Sequence, residues 1–173
     1  MNDKILVTYA TRSGSTAGVA EAIGQVLTGH GENVDVLPVS EVADLTPYKA
    51  VIAGSAIQGQ KWLPEAMQFL NKHRRELSQK PFAAFMVCIT LSMKNAEQYR
   101  EGVSGWMSPI RATVRPVNVG LFAGSLDFHK MPFSMNTLAM RIPVIMGVWK
   151  TGDHRDWNAI RTWAEQTYPL LAQ

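Results

Sequence analysis

One stretch near the start of the chain decides its fold. It reads Lys4-Ile5-Leu6-Val7-Thr8-Tyr9-Ala10-Thr11-Arg12-Ser13-Gly14-Ser15-Thr16. The apolar run at residues 5–7 predicts a buried β-strand, and the apolar spacing after Thr16 predicts a helix directly behind a short loop. The first backbone N–H groups of a helix have no partner inside it and lie at the positive end of its dipole. A loop in this place therefore predicts an anion site, most often one for phosphate.

The loop itself is rich in hydrogen-bond donors. Its six residues are Thr11, Arg12, Ser13, Gly14, Ser15 and Thr16, and four of them carry a hydroxyl. The lysine of the nucleotide P-loop is missing, and a lone glycine excludes the dinucleotide fingerprint. The residues of the loop therefore predict a binding site for one monophosphate. The alternative is a Ser/Thr helix cap without a ligand, although a cap needs only one or two hydroxyls.

Composition narrows the class of protein. The 173 residues, of which 46% are hydrophobic, predict one domain over residues 1–173. The single cysteine, Cys88, excludes an internal disulfide framework and, with no secretory signal at the first residues, favours a cytoplasmic protein. Four scattered histidines predict no metal site. The net charge of +3 is too weak to indicate a nucleic-acid partner.

Strand and helix patterns alternate along the whole chain. Strands are predicted at residues 5–9, 34–39, 50–53, 82–89 and 114–122. Apolar strands that alternate with helices predict an α/β fold: a five-stranded parallel sheet of order 2-1-3-4-5 with helices on both faces. Pro116 predicts that the last strand lies at an edge or begins near the proline. Asp156 is predicted to cap a closing helix.

Two further loops are predicted to meet the first one, because ligands of such sheets bind at the carboxyl ends of the strands. The second loop spans residues 54–63, and its predicted contacts are Ser55, Ala56, Ile57, Gln58, Gly59 and Trp62. Trp62 either stacks on a flat ligand or packs at a helix start. The third loop contributes Thr90, Leu91 and Ser92, whose hydroxyls either contact a ligand or cap the next helix.

The first loop resembles the phosphate loop of flavodoxins, roughly [ST]-x-[ST]-G-x-[ST], which holds the FMN phosphate in that family. The second loop and two later segments, residues 122–127 and 156–164, resemble flavodoxin-domain proteins related to menaquinone-dependent protoporphyrinogen IX dehydrogenase. The resemblance implies a flavodoxin-like three-layer sandwich and noncovalent FMN. It also implies oxidation of a porphyrinogen with a quinone acceptor. Two alternatives stay open: a flavodoxin-type electron carrier that docks to redox proteins, and a flavin-free protein that keeps only the fold.

Residues 127–150 form an apolar, methionine-rich stretch. Asp127 is its only acid, and Pro143 ends or kinks any helix there. Because the apolar residues are not confined to one side, two interpretations remain. The stretch is an insertion that completes the core, or it is a flap beside the flavin. A flap could accept a flat apolar substrate, rest on the inner face of a membrane, or form a homodimer contact. The sequence nominates no catalytic residue.

Overall fold

The computed structural model describes residues 3–93, 95–127, 141–147 and 151–172. Its main strands are β1 (Lys4–Ala10), β2 (Asn33–Pro38), β3 (Tyr48–Gln58), β5 (Phe82–Cys88) and β6 (Val119–Ala123); shorter ones are β4 (Lys61–Trp62), β7 (Ser125–Leu126) and β8 (Gly152–Asp153). The five main strands are parallel, in the order β2-β1-β3-β5-β6. This order confirms the predicted 2-1-3-4-5 topology.

Helices cover both faces of the sheet. They are α1 (Ser15–Gly29), α2 (Pro64–Lys72), α3 (Arg74–Leu77), α4 (Ala96–Gly105), α5 (Ser108–Thr113) and a closing helix, Trp157–Leu171. Alternate residues of β1 enter different cores: Leu6 shares a core with α2, α4 and α5, whereas Ile5 and Val7 share one with α1 and the closing helix. This alternation follows from the period of two in a β-strand and produces the three layers.

The third strand is longer than the sequence predicts. It was expected at residues 50–53 with an end at Gly54, but β3 continues to Gln58. The extension forms because β1 supplies pairing partners as far as Ser55 and β5 as far as Ala56. Gly54 does not end the strand; it makes room for the ring of Phe85, which lies where a Cβ atom would be. The glycine therefore has a packing role.

The last main strand starts later than predicted. It was expected over residues 114–122, but β6 begins at Val119, so Pro116 precedes the strand. The N–H of Val114 instead donates to the carbonyl of Ile110 at 2.9 Å, which closes α5. In the described part of the sheet β6 pairs with β5 on one side, and the predicted edge position is confirmed.

Asp156 caps the closing helix as predicted: its Oδ1 accepts the N–H of Ala159 at 2.9 Å. Replacement by alanine leaves that N–H without its partner. We expect Asp156→Ala to lower the free energy of unfolding by about 1 kcal/mol in a denaturant titration. Asp156→Asn, which keeps an accepting oxygen, should lose much less. Equal losses in both variants would mean that the negative charge, and not the cap, stabilises the helix.

Candidate functional site

A pocket opens at the carboxyl edge of the sheet, where the chain leaves β1 and β3 toward opposite faces. Its cavity volume of about 110 Å³ is smaller than the roughly 300–1,000 Å³ of small-molecule sites, so the pocket encloses only part of a larger ligand. The wall is formed by Arg12, Ser13, Ser15, Ala56, Ile57, Gln58, Leu63, Val87, Ile89, Gly124, Ser125 and Leu126. The first loop supplies a polar end, and most of the remaining wall is apolar. This pocket can contact a ligand with one charged end and one apolar end.

Six of the predicted site residues line this pocket: Arg12, Ser13, Ser15, Ala56, Ile57 and Gln58. The pocket also has a wall that sequence reasoning missed. Leu63 follows β4, Val87 and Ile89 lie at the end of β5, and Gly124 follows β6. Ser125 and Leu126 form β7. Leu63 lies in the predicted second loop, and residues 124–126 lie in the later segment 122–127 that carries the family resemblance. None of the six was predicted to contact a ligand, because none has a distinctive side-chain chemistry; the expectation that ligands bind at the carboxyl edge is the general signal for them.

The N-terminus of α1 is open to an anion. Gly14 precedes the helix with φ of 86°, no described side chain caps the helix, and its first turn contains no acid. Thr11 does not act as a cap: its Oγ1 accepts the N–H of Gly14 at 3.0 Å, within the loop. A helix start without a cap leaves backbone donors unused at the positive end of the dipole. The hydroxyls of the loop therefore do not act as a side-chain cap of α1.

Thr16 adds a second feature to the loop, directly behind Ser15 of the pocket wall. Its side chain is fully buried, and its Oγ1 has no hydrogen-bond partner among the described residues. A buried hydroxyl without a partner is unfavourable, and such groups are rare in folded proteins. Thr16 is not itself part of the pocket wall, but it lies in the first turn of α1 next to Ser15, which is.

Arg12 shares its charge with Glu65, the second residue of α2. The guanidinium makes two contacts to the carboxylate, one of them between Nη2 and Oε2 at 3.1 Å. The hydrogen bond from Arg12 lowers the pKa of the Glu65 carboxyl. Both side chains are exposed, so the pair adds little stability. At the pocket rim Arg12 is thus a cation whose charge is already partly balanced.

Arg155 lies beside the first turn of α1, although the sequence analysis did not nominate it. Its Nη1 donates to the carbonyl oxygen of Ser15 at 3.1 Å. Asp153 holds the guanidinium through Nε at 2.8 Å and Nη2 at 2.6 Å, and the hydrogen bond lowers the pKa of the Asp153 carboxyl. The guanidinium also lies 4.4 Å from the ring centre of Trp157. No local pattern could indicate the contact, since it joins residues 140 positions apart.

The predicted second loop is largely a β-hairpin. Strand β4 pairs with the end of β3, and the chain turns at Gly59 and Gln60, both with positive φ. The hydroxyl of Ser55 is buried and accepts the N–H of Leu63 at 2.9 Å, so it holds the hairpin. Trp62 is only 4% exposed and belongs to the core, which leaves its ring unable to stack on a ligand. Ile57 is the apolar side chain that this hairpin adds to the pocket wall.

The predicted third loop is a short 3₁₀ helix, Ile89–Ser92. The hydroxyl of Ser92 donates to the carbonyl of Ile89 at 2.6 Å, so it closes its own turn. Leu91 is buried in the core, and Thr90 is half-buried outside the pocket wall. The pocket side of this region is formed by Val87 and Ile89 instead. The contribution of the region is apolar where the sequence predicted hydroxyl groups.

An exposed apolar surface lies in the stretch that the sequence marks as an insertion or flap. Ile142, Ile145 and Met146 are 58%, 83% and 73% exposed, and residues 141–145 are helical. Their spacing places them on one side of that helical turn. These three residues do not complete the core. Pro143 was predicted to end or kink any helix here, but it lies within the helical residues 141–145 and does not end them. Residues 128–140 and 148–150 of the stretch lie outside the described residues.

The described ranges also bear on membrane spans and metal sites. Within them no helix is long and apolar enough to cross a membrane. Nor do three or more His, Cys, Asp or Glu side chains come together there in a way that would hold a metal ion.

Known proteins resemble this chain in sequence and in structure. Residues 6–156 match the flavodoxin domain family. The chain is 25% identical over 168 residues to protoporphyrinogen IX dehydrogenase [quinone] of Leishmania major, a match that covers 93% of this chain and 73% of that protein.

Several solved flavodoxins share the fold. Flavodoxin 2 of Bacillus cereus is 18% identical, with a TM-score of 0.56 and coverage of 96% of this chain and 98% of the other. The flavodoxin of Streptococcus pneumonia TIGR4 is 13% identical, with a TM-score of 0.59 and coverage of 95% and 97%. A mutant flavodoxin of Fusobacterium nucleatum, bound to flavin mononucleotide, is 11% identical, with a TM-score of 0.50 and coverage of 96% and 93%. At these identities the likeness concerns the fold alone.

Proposed function

Because this chain belongs to the flavodoxin domain family, we propose that it is a one-domain FMN-binding oxidoreductase. One observation carries the proposal: an uncapped helix start with a buried, unpartnered Thr16 hydroxyl adjoins the polar end of a pocket that is otherwise mainly apolar. FMN has a charged phosphate at one end and a flat ring at the other, and the two ends of the pocket match this division.

The residues of the pocket fit FMN in kind. Backbone N–H groups at the start of α1, with the hydroxyls of Ser13, Ser15 and Thr16, would hold the phosphate. The apolar wall that includes Ile57, Ile89 and Leu126 would cover part of the ring and exclude water from it. Bound FMN supplies the electron-accepting ring, whereas the protein positions it and sets its surroundings.

We further propose that the substrate is a porphyrinogen and the acceptor a quinone. The name of the Leishmania major relative supports this choice. In such a reaction the porphyrinogen gives up an electron pair and two protons, and the quinone takes them up as it becomes a quinol. The described surface offers an apolar element for a flat or lipophilic partner, namely Ile142, Ile145 and Met146.

The position of that apolar surface supports the same proposal. Strand β7 lines the pocket with Ser125 and Leu126, and it pairs with β8 on the other side of the stretch. Residues 127–151 therefore connect a strand of the pocket wall, β7, to the strand that pairs with it, β8. A stretch attached in this way can contact a substrate that is too large for the pocket itself, a membrane surface that contains the quinone, or a second copy of the chain.

Two measurements test the proposed function. The purified protein should show oxidised-flavin absorption, or should bind added FMN in calorimetry. A colourless protein that ignores FMN would overturn the redox proposal. Anaerobic mixing with protoporphyrinogen IX should then bleach the bound flavin, and a menaquinone analogue should restore the absorption. A flavin that binds but is not reduced by the porphyrinogen would instead support a flavodoxin-type electron carrier.

The role of the exposed apolar surface can be tested separately. We expect the double variant Ile145→Ser and Met146→Ser to raise the KM for protoporphyrinogen IX about tenfold, because apolar contact area with the substrate is lost. FMN affinity should stay unchanged. The matched control is Val117→Ser, an exposed apolar residue outside this stretch. Loss of FMN binding together with activity would show that the surface is structural.

A further inference from the structure

Arg155 contacts the start of α1 but does not line the pocket wall. Its Nη1 donates to the carbonyl of Ser15, and Ser15 does line the pocket. Gly18, one turn into α1, makes the approach feasible, since a Cβ atom there would lie 2.6 Å from Nη1. The guanidinium is thus packed against the first turn of the helix that would receive the phosphate.

The charge of Arg155 is placed against the helix dipole. The start of a helix carries positive partial charge and favours anions, so a cation beside it is unfavourable on its own. No acid in the first turn of α1 offsets this arrangement. Asp153 balances part of the guanidinium charge. An anion bound in the loop would be attracted by both the helix start and Arg155. The repulsion between Arg155 and the helix start would then be offset.

The guanidinium is also held rigidly. Its side chain is only 16% exposed, Asp153 binds it with two hydrogen bonds, and Trp157 lies against it. A fixed guanidinium can order the residue that it contacts, whereas a flexible surface arginine would lose that order to side-chain entropy. The residue that it orders is Ser15, directly between the two loop positions Gly14 and Thr16.

We propose that Arg155 is a positioning residue for the phosphate monoester of the bound flavin. It fixes the carbonyl of Ser15, so that the loop keeps its anion-binding shape, and it adds positive charge to the helix start. The proposal rests on the proposed function, since it names a determinant of the same site. It predicts a specific defect: loss of Arg155 weakens binding of the phosphate group and leaves binding of the ring alone.

The test compares FMN with riboflavin, which lacks the phosphate. In calorimetric or fluorescence titrations Arg155→Gln should weaken FMN binding about tenfold or more, because a partly buried charged contact to the phosphate loop is lost. Riboflavin affinity should not change. Arg155→Lys keeps the charge but cannot bridge Ser15 and Asp153 in the same way, so we expect an intermediate loss. Arg161→Gln removes one charge from an exposed position of the closing helix and should leave FMN affinity intact.

Inorganic phosphate provides a probe that does not depend on the flavin. We expect it to compete with FMN for the wild-type protein and to bind more weakly to Arg155→Gln. Equal losses for FMN and riboflavin, or no loss for either, would overturn the role of Arg155 while the proposed function stands. Arg155-dependent phosphate binding without any FMN binding would overturn the proposed function and the assignment of the phosphate to a flavin, and it would leave Arg155 with a role in phosphate binding alone. A wild-type protein that binds neither ligand would overturn both.

Discussion

Thr16→Val is expected to stabilise the flavin-free protein and, at the same time, to weaken FMN binding. The Thr16 hydroxyl is buried without a partner in the described structure, and valine has nearly the same shape without the hydroxyl. Removal of an unsatisfied buried hydroxyl should raise the free energy of unfolding by about 1 kcal/mol. The same change takes a donor away from the phosphate. We therefore expect FMN affinity to fall by about 1–3 kcal/mol, or roughly 5–150-fold.

The opposite signs of the two effects make this prediction specific. A residue that only supports the fold would lose stability and affinity together. Thr8 in β1 offers a matched control, because it too is fully buried and its Oγ1 also lacks a partner among the described residues. Thr8→Val should give the gain in stability without the loss of FMN affinity. If Thr16→Val binds FMN as tightly as the wild type, the Thr16 hydroxyl is not part of the phosphate-binding site. Ser13→Ala, added to Thr16→Val, should deepen the loss.

The sheet order and the polar end of the pocket could be predicted because their signals are local. The apolar runs of β1 and β5 and the stripes of α1 and the closing helix each lie within one element, and alternation of such elements restricts the topology to few choices. The first loop carries its hydroxyls in six consecutive residues. Its place at a helix start then follows from the neighbouring pattern alone.

The rest of the pocket depends on contacts between distant parts of the chain. Arg155, two residues after β8, contacts Ser15 at the start of α1, and no short window of sequence contains both residues. Ser55 and Ser92 show that a predicted ligand contact can be lost to the protein's own backbone. Their hydroxyls were predicted for a ligand, but local backbone groups already use them. Residue type indicates the capacity to form a hydrogen bond, and only the fold decides which partner takes it.

Gly54 is the position where a local rule most clearly fails. A glycine after a short apolar run usually marks a turn, and the sequence predicts a strand end there. In the structure Phe85 is the direct cross-strand partner of Gly54, and its ring covers the glycine. The ring can take this place only because Gly54 has no side chain. The close contact holds β3 and β5 together just before Ile57 enters the pocket wall.

Gly54→Ala should therefore be strongly destabilising, with a loss of about 3 kcal/mol in the free energy of unfolding. A Cβ atom at Gly54 would overlap the ring of Phe85, and that ring is fully buried against Phe122 and Trp163, so it has little room to retreat. In a Phe85→Leu background the same alanine should cost at least about 1 kcal/mol less, which a double-mutant cycle measures.

Gly102→Ala is the control for Gly54→Ala: a Cβ atom at Gly102 meets nothing within 4 Å. Alanine at this position in α4 should stabilise by about 0.5–1 kcal/mol. If Gly54→Ala proves as harmless as this control, the ring of Phe85 does not require a glycine at this position and does not define the approach to the pocket.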